Sequence, residues 1–189
     1  MFNIMLDELP ENFEGYPINT DFRIGIQIEQ LLADGIAGGR EKTEKICELL
    51  FPGIIPHDIN AAVEWFLSGW YMDNPAKSKE TQRIMDYDKD QWRIYAAFLH
   101  QYRTDLNTAS MHYWKFMGLM SNLEPCAFTR VMDIRGKKIT NNMSKEDKAA
   151  LKKAKEIYQL EQQEENSEES YEKEIKKQEA IDAFRSFRK

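Results

Sequence analysis

Residues 86–123 read DYDKDQWRIYAAFLHQYRTDLNTASMHYWKFMGLMSNL. Aromatic, methionine and acidic residues interleave there at intervals of three and four, the repeat of a helical face. Trp92, Tyr95, Ala96, Leu99 and Tyr102 lie on one such stripe. Met111, Trp114, Met117, Leu119 or Met120, and Leu123 lie on another. Strands favour β-branched residues, yet the chain's only valines are Val63 and Val131. With nine Gly and six Pro in 189 residues, long helices are not interrupted often. The expected fold class is mainly α.

Apolar residues make up 42% of the chain, enough for a real core, with 4 Trp, 8 Tyr and 10 Phe to fill it. The division expected is a compact helical domain with a small N-terminal β-hairpin (1–136), a basic helix extension (137–160) and an acidic tail (161–189).

Element by element, Met1–Met5 reads as a short strand. The turn signals of LPENFEGYPIN suggest a hairpin pairing residues near Ile4 with residues near Ile18. Asn19 or Thr20 is placed to cap a helix with Ile24, Ile28, Leu31 and Leu32 on its apolar face. A second helix covers 41–50, with Ile46, Leu49 and Leu50 inward. Asp58 caps a third, which buries Ala62, Trp65, Phe66, Gly69 and Trp70. The polar run KSKETQR forms a loop or short helix. Asp88 is expected to cap the Trp92 helix, and Asn107 or Thr108 to start the next. Pro125 opens one more, through Phe128, Val131, Met132 and Arg135. Ser144 begins a Lys-rich helix carrying Leu151, Ala154, Ile157 and Tyr158. Residues 161–170 are nearly all Glu, Gln, Ser and Asn, a solvated helix or disordered tail. Ile181, Phe184 and Phe187 then form an amphipathic patch suited to docking.

No catalytic constellation emerges. Asp86, Asp88 and Asp90 form a DxDxD run that lacks the glycine and the later bidentate Glu of a calcium loop, so a helix-cap reading is better. GIAGG at 35–39 lacks the Lys and Ser/Thr of a phosphate loop. Ser68 and Ser121 have no nucleophile-elbow context, and Cys126 has no evident His partner. His57, His100 and His112 are not at metal-ligand spacing. No enzyme activity, metal or cofactor is expected.

The net charge of −6 matches a nucleic-acid backbone poorly. Arg130, Arg135, Lys137, Lys138, Lys145, Lys148, Lys152, Lys153 and Lys155 nonetheless make a local basic stretch. A small helical regulator binding nucleic acid through 130–155 is therefore the alternative reading. Cys47 and Cys126 sit in apolar helical patterns and read as thiols of a reducing compartment. No run reaches the roughly 18 apolar residues of a spanning helix, so no membrane is expected.

Three segments carry a family resemblance. They are EGYPINTDFRIGIQIEQLL (14–32), FLSGWY (66–71) with the Tyr-Asp lead-in at 86–88, and DLNTASMHYWKFMGLMSNL (105–123). Together they resemble the gp15 family of tailed phages and prophages of Gram-positive bacteria, over most of residues 1–160. The resemblance implies a non-enzymatic tail-assembly chaperone encoded beside the tape-measure gene. Its implied partners are the tape-measure protein and the tail-tube protein, with self-association a further expectation. Its implied place is the host cytoplasm, not the mature virion. Trp70, Tyr71, Met111, Trp114, Met117 and Met120 are the candidate partner-binding residues, because Met-rich and aromatic surfaces suit apolar helices.

Overall fold

Two of those segments meet at the centre of the molecule. In the computed structural model, which describes residues 2–33, 39–70 and 83–160, Asp21 and His112 form an antiparallel bridge. The Phe22 N–H donates to the Met111 carbonyl (2.9 Å), and the Tyr113 N–H to the Thr20 carbonyl (2.7 Å). Each bond satisfies a donor at a helix start that has no intrahelical partner.

The described residues form seven helices and one hairpin. The helices are α1 (Phe22–Ala33), α2 (Gly39–Leu50), α3 (Ile59–Ser68), α4 (Tyr87–Tyr102), α5 (Tyr113–Ser121), α6 (Ala127–Gly136) and α7 (Lys145–Tyr158). The chain is mainly α with a small N-terminal hairpin, as composition implied. Helix α1 packs against α2, α3 and α5; α4 packs on α6, and α6 carries α7.

The hairpin is more local than expected. Strands β1 (Asn12–Phe13) and β2 (Tyr16–Pro17) pair Asn12 with Pro17 and Phe13 with Tyr16. Both loop residues, Glu14 and Gly15, have positive φ (50° and 88°), as a tight two-residue turn requires. Residues 4–6 form a turn, not a strand, and Met5 is exposed. Ile18 still touches this region, donating its N–H to the Glu11 carbonyl.

Aromatic rings fill the core. The Phe116 ring of α5 lies between Phe22 of α1 (4.9 Å, 24°) and Phe98 of α4 (5.1 Å, 17°). Trp114 stands edge-on to Trp65 at 5.0 Å and donates its indole N–H to the Phe66 carbonyl at 2.7 Å. Two glycines make room for this packing. A Cβ on Gly25 would lie 2.0 Å from the Tyr113 ring, and one on Gly69 2.3 Å from the Trp114 ring.

Helix starts follow the capping rules with shifts of one or two residues, except at α5, which is capped by His112 and not by the expected Asn107 or Thr108. Asp58 accepts from the Ala61 N–H, as expected. Asp21, rather than Asn19 or Thr20, accepts from the Arg23 N–H. The cap of α4 is Asp86, not Asp88: its carboxylate accepts from the N–H groups of Asp88 and Lys89. Ser144 accepts from the Asp147 N–H and starts α7.

One apolar stripe is out of phase with expectation. On α1 the expected Ile24, Ile28 and Leu31 lie in or against the core beside Phe22, and only Leu32 is half exposed. On α4 the buried residues are Asp90, Ile94, Ala97 and Phe98, whereas Trp92, Ala96 and Leu99 face outward. Asp90 belongs on the inner face because its charge is matched there. Its carboxylate takes two hydrogen bonds from the Arg135 guanidinium of α6, at 2.5 and 3.2 Å, and one from Arg93 at 3.1 Å. Arg135 also donates to the carbonyls of Tyr158 (2.6 Å) and Ile84 (3.0 Å). One buried guanidinium thus ties α4, α6 and the end of α7 together.

Candidate functional site

The outward stripe of α4 borders an open groove of about 510 Å³ between α1 and α4. Phe116, held between Phe22 and Phe98, reaches its floor with Ile94. Ile26 lines it from α1, and Leu106 from the connection between α4 and α5. Tyr87 and Tyr95 form the α4 side. Trp92 stands at the rim, 75% exposed, with its ring edge-on to Tyr95 at 5.9 Å.

The groove is held open by polar contacts on both sides. Gln30 of α1 donates to the Asp88 carboxylate of α4 at 2.9 Å. Arg23 reaches across to the carbonyls of Leu106 (2.8 Å), Asn107 (3.2 Å) and Ala109 (3.0 Å), which fixes the 103–109 connection. Beneath them, the Tyr113 hydroxyl donates to Glu29 at 2.5 Å. Burial, then the Glu29 charge, pushes the phenol pKa of both Tyr113 and Tyr87 up. These hydroxyls are donors at any physiological pH, not acid–base groups.

A groove of this kind offers apolar area with a few polar groups at its edges. That is the surface an amphipathic helix recognises. Among the described residues no group of His, Cys, Asp and Glu is arranged to hold a metal ion. No helix among them is long and apolar enough to cross a membrane.

The sequence matches the family described as "Bacteriophage Gp15 protein" over residues 5–160. The chain belongs to the bacteriophage Gp15 family. No curated protein and no solved structure matches it.

The Gp15 marks prove to be parts of the framework. Asp21 and His112 form the bridge, Arg23 pins the connection, and Tyr113, Trp114 and Phe116 are core rings. The His112 Nδ1 accepts from the Trp114 N–H at 3.0 Å, so the neutral ring carries its proton on Nε2 and donates it to the Pro10 carbonyl, 3.0 Å away.

The candidate contact residues accordingly divide. Met111, Trp114 and Met120 are buried, so they are not the outward surface that partner binding would need. Met117 is half-buried, with its sulfur 3.9 Å from the Tyr87 hydroxyl. Trp70 is half-buried too, its indole N–H on the Leu67 carbonyl. Tyr71 lies outside the described residues. The groove residues Trp92, Tyr95, Tyr87 and Leu106 were not singled out as contacts from sequence. A signal was available: α4 is apolar on two faces, and one chain covers only one of them.

The basic stretch 130–155 spans α6, α7 and the turn between them. Three of its cations serve the fold: Arg135 is buried on Asp90, Lys155 donates to the Arg135 carbonyl at 2.6 Å, and Lys148 to the Asn141 carbonyl at 3.2 Å. Arg130, Lys137, Lys138, Lys145, Lys152 and Lys153 are exposed.

Proposed function

We propose that this Gp15 protein is a tail-assembly chaperone, a binding protein and not an enzyme. It binds the tape-measure protein in the host cytoplasm, helps recruit tail-tube subunits, and leaves before the virion matures. The α1/α4 groove is the contact surface.

The observation that carries this reading is an apolar groove ending in an exposed Trp92. Tryptophan is the residue type most enriched among binding hot spots. Family membership supplies the phage context. A tape-measure protein is long and helical, with apolar stripes uncovered until the tube forms around it. Many copies of a small module, each covering a short stretch, would keep it soluble through multivalency.

Co-expression with the long helical tape-measure protein encoded nearby tests the reading. A soluble complex should elute together, and the tape measure alone should precipitate. A tape measure that stays insoluble, with no complex recovered, would overturn it.

A further inference from the structure

We propose that the face of α3 and α5 carrying Trp65 and Trp114 is a second partner surface, kept shut by the chain's own residues 2–13. These residues act as a strap that lifts when an apolar helix takes their place. The inference rests on the chaperone reading for the identity of that helix, and adds a site and its cover.

Two rings hold the strap down. Phe2 stands edge-on to Trp114 at 5.4 Å, and Phe13 lies tilted against Trp65 at 5.3 Å. Trp65 and Trp114 are in edge contact with each other, so the two phenylalanines cover one aromatic pair. Leu9, between them in the chain, packs against the core as well.

Little else holds it. Among the described residues, the only hydrogen bond from residues 2–10 to the rest of the protein joins the Pro10 carbonyl to His112 Nε2. The other bonds of this stretch stay within it. The Asn3 N–H donates to the Asp7 carboxylate at 2.7 Å, and the Met5 N–H to the Asn3 side chain at 2.9 Å. The Leu6 and Asp7 N–H groups donate to the Asn3 carbonyl. Lifting the strap breaks none of these. An open cavity of about 780 Å³ is lined by strap residues 8–12 and by residues 19–21 and 110–112 of the joint. Glu8, Glu11 and Asp21 line it and no lysine or arginine does, so charge does not draw the strap down. A segment with few buried contacts over many residues opens at the low end of the local stabilities in a fold.

The strap's tip supports an opening role. Ile4, Met5 and Leu6 are exposed, the last two at 84% and 82%, an apolar run that the closed strap leaves in water. The strap also shows what the covered face accepts, which is bulky apolar side chains set against tryptophan. An amphipathic helix presents such side chains along one stripe.

The test uses the full chain with Phe2 replaced by the photo-cross-linker p-benzoylphenylalanine. Alone, it should link to α3 or α5 of the same chain, and a saturating tape-measure segment should lower that yield several-fold. A Phe2→Asp variant, whose strap stays lifted, should bind the segment about tenfold more tightly, as for a site open about a tenth of the time in wild type. A segment that binds wild type but leaves either the cross-link yield or the Phe2→Asp affinity unchanged overturns the strap, and leaves the groove reading standing. A segment that binds neither form overturns the chaperone reading instead. The strap is then judged on the dye anilinonaphthalene sulfonate, which should fluoresce more strongly with Phe2→Asp than with wild type while the variant still melts cooperatively. Equal fluorescence, or loss of the cooperative melt, overturns the strap.

Discussion

The backbone of Asp21 pairs with that of His112, and each residue's side chain caps the helix that follows it. The TDFR and HYWKF segments are therefore two halves of one joint. His112 keeps its place only as a neutral ring, since Nδ1 must accept from the Trp114 N–H. Burial lowers its pKa, outweighing the Pro10 bond and the Glu11 charge, which raise it.

That joint predicts a pH dependence. The folded pKa lies below the unfolded value of about 6.5, so the unfolded chain binds the proton first as pH falls. The stabilisation is complete above that value and is lost as pH drops through the folded one. Urea unfolding between about pH 7 and pH 5 should show a falling midpoint. His112→Ala should cost about 1–2 kcal/mol at neutral pH and flatten this dependence.

Arg135 predicts a local release. Arg135→Met leaves Asp90 buried with only Arg93 beside it, and frees the Tyr158 carbonyl. A loss of about 3 kcal/mol is expected, with faster hydrogen exchange across 145–158. Adding Asp90→Leu to Arg135→Met should recover part of the loss, because no charge is then stranded.

Two glycine substitutions should act with opposite sign. Gly25→Ala drives a methyl into the Tyr113 ring, which Glu29 holds in place, and should cost about 1–3 kcal/mol. Gly118→Ala, in the interior of α5 with nothing within 4 Å of its added carbon, should stabilise by about 0.5–1 kcal/mol. Thermal melts of the two variants check both.

The helical class, the Asp58 and Ser144 starts and most of the core rings were readable from composition and local spacing. The misplaced parts are those where a distant residue decides. Asp90 read as one of three helix-cap acids because its partner, Arg135, is 45 residues away. Once Asp90 is placed inside, the face of α4 turns, and Trp92 and Leu99 come to the surface. The Met111–Met120 stripe looked available because a sequence does not say which of two apolar faces a neighbouring helix covers. Local turn chemistry set the hairpin, through positive φ at Glu14 and Gly15, and residues 2–5 have no partner strand among the described residues.

The groove's role is tested most directly by the affinity of the purified chain for a tape-measure segment, with and without Trp92→Asp. Trp92 is 75% exposed, so the variant should melt within a few degrees of wild type. Its binding should weaken about thirtyfold or more, the loss of an exposed tryptophan anchor. Wild-type affinity in a variant that remains folded would contradict the account.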